Sequence, residues 1–156
     1  MKAIRIHEFG RPEALSVDEV EKPVTGAWEV LIRVVVAGVN YADTMLRAGT
    51  YFFKPQLPFT PGFEVAGVIE AVGEEVSNFE VGQRVTARLA SGGYVEYAVA
   101  KAEQVVLIPE ELDFAKATAM LVQGWTALGL LKGLRASQTL LINDGQGCAD
   151  GLSKIP

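Results

Sequence analysis

Two glycines near residue 145 have the spacing of a dinucleotide-binding loop. Gly145 and Gly147 follow the short apolar run at residues 139–143, and they fit the first two positions of a G-x-G-x-x-G fingerprint. In that fingerprint, backbone N–H groups and the N-terminus of a helix bind the pyrophosphate of the cofactor. The third position holds Asp150, whose carboxylate would repel a pyrophosphate. The loop therefore predicts the beginning of a dinucleotide site and leaves that site incomplete.

Three polar side chains stand among apolar residues earlier in the chain. Asn40 and Asp43 have the spacing of a capping box variant, in which an acid three residues after the N-cap favours the start of a helix. Glu64 stands in the middle of an apolar run. Its carboxylate therefore either lies on a solvent-exposed face or, if it is buried, is paired with another group. We predict a structural ion pair for Glu64, with Arg47 and Arg84 as the two candidate cations.

The composition argues against metal, nucleic-acid and membrane functions. Catalytic zinc usually takes three ligands from Cys, His and carboxylate side chains, whereas the one histidine, His7, is far along the chain from the one cysteine, Cys148. The net charge of −5 without a basic cluster argues against a nucleic-acid partner, and the apolar runs are too short to cross a bilayer. A lone cysteine rules out an internal disulfide and suits a reducing compartment, so we predict a cytoplasmic protein.

Short strands separated by Gly and Pro dominate the chain up to Pro109, which predicts an antiparallel barrel or sandwich. The predicted elements are strands at 2–7, 15–20, 29–36, 63–72, 84–89, 94–99 and 104–108, and a helix at 41–48. After Pro109 the apolar spacing becomes helical. It predicts a helix at 114–121 with Asp113 as N-cap and a second helix at 125–132, separated by Gly124. A helix followed by a buried strand and a glycine-rich loop is typical of the beginning of a nucleotide-binding α/β domain.

Four blocks of sequence also resemble a known family. They read VNYAD at 39–43, LPFTPGFEVAG at 57–67, VGEEVSNFEVGQRV at 72–85 and GGYVEY at 92–97. In this order and spacing they resemble the N-terminal domain of the medium-chain dehydrogenase/reductases, in particular the zinc-free quinone oxidoreductases of the zeta-crystallin type. The resemblance implies a mainly β fold with some α, a GroES-like, partly open β-barrel over residues 1–123. Residues 124–156 would then be a linker helix and the truncated start of an NAD(P)-binding Rossmann domain with its first strand.

The resemblance implies an activity and roles for three residues. The activity is hydride transfer from NADPH to a quinone or an activated enone. The resemblance places Asn40 at a strand-to-helix junction that faces the nicotinamide, where its amide would bind a carbonyl substrate or the cofactor's carboxamide. Tyr41 would donate its hydroxyl to a developing oxyanion, and the Thr126 hydroxyl would approach the nicotinamide. The alternatives are a capping role for Asn40, a packing role for Tyr41 and a solvent-facing Thr126 at a helix start.

The resemblance also implies that the chain uses no catalytic zinc. Zinc-dependent relatives carry a cysteine where this chain has Val39 or Asn40, and a Gly-His-Glu where it has Gly62-Phe63-Glu64.

The family pattern is lost after Asn143. We therefore expect an NADPH:quinone oxidoreductase-type protein whose 156-residue chain is an inactive N-terminal fragment. The alternative is a non-catalytic binding or assembly module that pairs with itself or with a full-length relative. Apolar helices that nothing covers would expose hydrophobic surface, and such surface favours association.

Overall fold

A computed structural model describes residues 1–132 of the chain. The strands in this part are β1 Lys2–Ile6, β2 Leu15–Glu19, β3 Glu29–Ala37, β4 Glu64–Val72, β5 Arg84–Arg88, β6 Tyr97–Lys101 and β7 Val105–Leu107. The α-helices are α1 Tyr41–Ala48, α2 Phe114–Ala119 and α3 Val122–Leu131. None of the helices in this part is long and apolar enough to span a membrane.

The strands form one five-stranded antiparallel sheet, in the order β6-β3-β4-β5-β7, and a separate hairpin of β1 and β2. The register between β3 and β4 shifts twice, and such irregularities bend a sheet and increase its twist. Single bridges from Ala3 to Val95 and from Ile6 to Phe59 join the hairpin to the rest. The result is a curled, partly open barrel, which confirms the predicted mainly β fold class.

The core lies inside the curl and continues under α2. Val65 and Ile69 of β4 belong to the cluster inside the sheet, whereas Ala66 packs on the other face against Ala117 of α2 and Ile108. β4 is therefore covered on both faces, which explains why its sequence is an almost continuous apolar run. Glu64 is the first residue of this doubly covered strand.

Most predicted boundaries agree to within two residues, but β6 and α3 each begin three residues away from the predicted start. β6 begins at Tyr97 instead of residue 94, because Tyr94 pairs elsewhere: its carbonyl accepts from Ile4 N at 2.8 Å and its N–H donates to the Pro61 carbonyl at 3.0 Å. Gly124 does not separate two helices but lies inside α3, and the break falls at Leu121, whose backbone has φ −72° and ψ −80°. The predicted strand at 139–143 lies outside the described residues.

Candidate functional site

A cavity of about 620 Å³ lies between the end of β3 and α3. Asn40 and Phe63 line it on the barrel side, and Trp125 and Thr126 line it on the α3 side. Tyr51, from the loop after α1, is a further lining residue. Aromatic walls with a few placed polar groups are typical of small-molecule sites.

Asn40 connects the two sides of this cavity. It is the N-cap of α1 and has the extended backbone that is usual at this position, with φ −115° and ψ 154°. Asn40 Nδ2 donates to Glu64 Oε1 at 2.9 Å, and Asn40 Oδ1 accepts from Gln123 Nε2 at 2.9 Å. Gln123 Oε1 is buried and has no hydrogen-bond partner within residues 1–132. The amide of Asn40 is therefore held from β4 and from α3 at once.

Glu64 is a buried carboxylate, with 1% of its surface exposed. Besides Asn40 it binds the start of α3, because Val122 N donates to Glu64 Oε2 at 2.9 Å. Gly38 provides the room: a Cβ at that position would overlap the Glu64 carboxylate. Both carboxylate oxygens thus accept from N–H groups, one of a side chain and one of the backbone.

The predicted ion pair of Glu64 with Arg47 or Arg84 is wrong. Arg47 Nε donates to the Gly10 carbonyl at 3.2 Å. Arg84 binds the carbonyls of Pro109, Glu110 and Leu112, the last at 2.6 Å from Nη2, and so secures the connection into α2. In the described part of the chain Glu64 has no cation within ion-pair distance, because both arginines bind backbone carbonyls.

Asp43 has the capping role that its spacing predicts. Asp43 Oδ2 accepts from Asn40 N at 2.8 Å, which is the acidic half of a capping box, and the Asn40 side chain makes no cap hydrogen bond of its own. Asp43 is also buried, and its Oδ1 accepts from Gly62 N at 3.0 Å, which joins α1 to the loop before β4. Gly62 has φ +102°, and a Cβ there would approach Tyr94 Cδ1 to 2.7 Å, so the position requires glycine. Burial and the nearby Asp43 carboxylate raise the pKa of the Tyr94 hydroxyl.

The structure brings two of the predicted site residues to one cavity. Asn40 and Thr126 both line it, and Thr126 Oγ1 donates to the Val122 carbonyl at 2.7 Å, one turn earlier in α3. Thr126 is also exposed to solvent, as the alternative interpretation expected. Tyr41 follows Asn40 but is 80% exposed and is not among the lining residues. Gly145 and Gly147 lie outside the described residues.

Tyr51 is a lining residue that the sequence analysis missed. Its ring contacts Phe52 at 4.3 Å and Phe53 at 5.4 Å between centroids, so three consecutive aromatic residues form one cluster. The sequence signal that could have identified Tyr51 is the YFF run at 51–53, which begins two residues after the helix stop at Gly49.

Asn40 and Thr126 could together hold a carboxamide-bearing aromatic ring such as a nicotinamide, while Arg88, Glu103 and Gln104 add charged and polar groups to the lining on another side. After its two hydrogen bonds, the Asn40 amide keeps one N–H and one oxygen lone pair, and the Thr126 hydroxyl keeps its lone pairs. A carboxamide needs an acceptor for its N–H groups and a donor for its oxygen, and the ring needs flat apolar contact. Within residues 1–132 no three His, Cys, Asp or Glu side chains lie close enough together to hold a metal ion.

Comparison with known proteins gives the same family. The profile of the alcohol dehydrogenase GroES-like domain matches residues 26–110. The quinone oxidoreductase of Lama guanicoe is 47% identical over 152 residues, which are 94% of this chain and 46% of that protein.

Two solved structures agree in fold. A probable oxidoreductase from Mycobacterium abscessus superposes with a TM-score of 0.91 at 33% identity, over 99% of this chain and 51% of that one. The Escherichia coli quinone oxidoreductase complexed with NADPH gives a TM-score of 0.80 at 29% identity, over 85% of this chain and 41% of that one.

The chain thus spans about half the length of the curated relatives that it matches. The predicted family is confirmed by the profile match, by the relatives and by the fold. The chain belongs to the alcohol dehydrogenase GroES-like domain family, in the quinone oxidoreductase branch of the medium-chain dehydrogenase/reductase superfamily.

Proposed function

We propose that this chain supplies the barrel side of a zinc-independent NADPH:quinone oxidoreductase site. NADPH, when bound, supplies a hydride, and the acceptor is a quinone or an activated enone. The observation that carries the proposal is the cavity that joins Asn40 to Thr126, in a chain whose relatives are named quinone oxidoreductases. The Escherichia coli relative was solved with NADPH, which supports the choice of cofactor.

The residues of the cavity would bind and orient the cofactor and the substrate. The donors and acceptors that each residue leaves free suggest its role. We propose that Asn40 donates its free N–H to the carboxamide oxygen of the cofactor or to the substrate carbonyl. Thr126 would accept from the carboxamide N–H, because its own hydrogen is already given to Val122. The exposed hydroxyl of Tyr41, next to Asn40, would donate to the oxyanion that forms on the acceptor. Phe63 would give the ring an apolar contact and exclude water.

We infer that the NADPH site of this chain is incomplete by itself. Gly145 and Gly147 would contact the pyrophosphate, but Asp150 stands where the fingerprint has its third glycine. The proposed division into a catalytic domain at 1–123 and a cofactor-domain segment at 124–156 falls within α3. α3 would then link the two. We also propose a cytoplasmic location, because the lone cysteine suits a reducing compartment.

Replacing Thr126 by valine is expected to weaken NADPH binding about threefold to tenfold, the effect of one lost hydrogen bond. The measurement is an NADPH titration of the purified chain followed by nicotinamide fluorescence. We expect a saturable signal with a midpoint of about millimolar, because the cavity holds only one part of the ligand. The matched control is Thr44→Val, since Thr44 Oγ1 also donates to a carbonyl one turn earlier, at 2.7 Å, but Thr44 does not line the cavity.

Two outcomes would contradict the proposal. The first is a signal that stays linear in NADPH, without curvature, at concentrations well above the expected midpoint, and the second is an equal loss of affinity in Thr126→Val and Thr44→Val. Addition of a quinone to the same samples is expected to give no NADPH oxidation above the blank. Turnover well above the blank would overturn the inference of an incomplete site.

As a second candidate function we propose self-association through α3. Trp125, Leu128 and Leu130 of this helix are 72%, 60% and 70% exposed, an unusual amount of apolar surface for one short helix. Size-exclusion chromatography at two protein concentrations is expected to show a species larger than the monomer. The fraction of this species is expected to rise with the protein concentration. A monomer at both concentrations would speak against this candidate.

A further inference from the structure

Glu64 is a buried charge that the proposed hydride transfer does not use directly. It is 1% exposed, and each of its oxygens accepts from a different element, Oε1 from Asn40 after β3 and Oε2 from Val122 at the start of α3. A buried charge is costly, and one recognised use of such a group is to fix a specific arrangement of its neighbours. We infer that Glu64 is a positioning residue that sets the orientation of the Asn40 amide and the place of the α3 wall of the cavity. The inference rests on the proposed function only for what the cavity binds.

The charge of Glu64 determines which way the Asn40 amide faces. An ionised carboxylate only accepts hydrogen bonds, so Asn40 must present its nitrogen to Glu64. Asn40 Oδ1 then faces α3, where it accepts from Gln123 Nε2 at 2.9 Å. The amide is thereby locked before any ligand arrives, and its free N–H and lone pair have fixed directions.

The same carboxylate holds the start of α3. The first N–H groups of a helix have no partner within the helix, and an anion at that end is favourable. Val122 is the first residue of this ten-residue helix, and its backbone N donates to Glu64 Oε2 at 2.9 Å. Thr126 is one turn further and binds the Val122 carbonyl at 2.7 Å. Glu64 therefore reaches two of the polar groups of the cavity, Asn40 directly and Thr126 through Val122.

Two single substitutions and their combination test this coupling. Glu64→Gln leaves one oxygen for two donors, so Val122 keeps its acceptor only if the Asn40 amide turns over and presents its oxygen to the new NH₂ group. Gln123 then has to turn over its own amide, so that its oxygen accepts from Asn40. Asn40→Asp places a carboxylate against the Glu64 carboxylate. In the double variant every hydrogen bond is restored, because the new amide at 64 accepts from Val122 and donates to the new carboxylate at 40. That carboxylate also still accepts from Gln123.

Thermal unfolding of the full chain is expected to show this rescue. Asn40→Asp is expected to unfold about 5 °C or more below the unsubstituted chain, and the double variant within about 2 °C of it. Glu64→Gln is expected to lose less, because the Asn40 and Gln123 amides can turn over and restore its hydrogen bonds. The control is Glu70→Gln on the same strand, where Glu70 is exposed and pairs with Lys22, so little change is expected. If the losses of the two singles simply add in the double variant, the inference is overturned. If a single variant does not fold, a folded double variant supports the inference and an unfolded one refutes it.

A second readout separates positioning from general stability. In ¹⁵N NMR spectra of the folded chain, the hydrogens of the Asn40 NH₂ group are expected to exchange with water about tenfold faster in Glu64→Gln. NADPH affinity is expected to fall about threefold to tenfold in the same variant. Unchanged exchange at Asn40 would contradict the positioning role. If the unsubstituted chain binds no NADPH, the proposed function fails, while the unfolding and exchange measurements still decide the role of Glu64.

Discussion

Replacing Gly67 by alanine is expected to lower the free energy of unfolding by more than about 3 kcal/mol. Gly67 lies in the middle of β4 and pairs with Val34 of β3 and Val85 of β5, so the backbone has a strand on each side. A Cβ at this position would overlap the Arg33 carbonyl and would lie 2.9 Å from Ile32 Cγ2. Because backbone cannot move aside as a side-chain end does, the two central strands would have to separate locally.

Gly129→Ala is the matched control for this prediction. Gly129 lies inside α3, and no atom lies within 4 Å of the Cβ that alanine would add. Alanine there is expected to raise stability by about 0.5 to 1 kcal/mol, because glycine disfavours the helix interior. Urea denaturation followed by far-UV circular dichroism measures both variants. A Gly67→Ala chain within about 1 kcal/mol of the unsubstituted one would show that β3 and β4 are less closely paired than described.

Asp43→Ala is expected to lower the free energy of unfolding by about 4 kcal/mol, because one buried and one half-buried N–H group each lose an acceptor at about 1 to 3 kcal/mol. These groups belong to Asn40 at 2.8 Å and to Gly62 at 3.0 Å. The loss would loosen the start of α1 and the loop before β4 together. Because Asn40 lines the cavity, we expect weaker NADPH binding to accompany the loss of stability.

Asp113→Ala separates the effect of burial from that of helix capping. Asp113 also caps a helix, accepting from Lys116 N at 2.8 Å, but it is exposed. Its replacement is expected to cost only about 1 kcal/mol, the usual value for a cap. The comparison uses the same urea titrations. Equal losses in Asp43→Ala and Asp113→Ala would mean that the bond from Gly62 to Asp43 contributes little to stability.

Local signals in the sequence predicted the elements well where they act within a few residues. The predicted helix at 41–48 matches α1, and Gly49 ends it with φ +70°, the left-handed conformation that glycine adopts easily. The apolar run at 63–72 predicted β4 to within one residue. The resemblance to a known family added the curl of the sheet, which strand spacing alone left open between a barrel and a sandwich.

Contacts between distant parts of the chain account for the failures. The ion pair of Glu64 was predicted by matching charges, but its partners are neutral N–H groups of Asn40 and Val122, 24 and 58 residues away. No sequence pattern marks a backbone N–H as the partner of a carboxylate. Gly124 was taken as a helix break because of its type. It lies inside α3, and the break between the two helices falls at Leu121 instead.

The site itself was predictable only in part. Asn40 and Thr126 were named from the resemblance, and both line the cavity. The network that joins them through Glu64 and Gln123 was not foreseen, since it depends on how α3 docks against the end of β3. The role of Tyr41 stays a prediction.

We propose that the cavity between Asn40 and α3 recognises the nicotinamide of NADPH. The NADPH titration tests it most directly when it is followed at the protein by NMR, at the Asn40 side-chain amide and the Thr126 methyl group. Saturable shifts of both signals, with one common midpoint, are the predicted result. Shifts centred on the separate hollow beside Trp28 and Lys101, or no shift at Asn40 and Thr126 at millimolar NADPH, would contradict it.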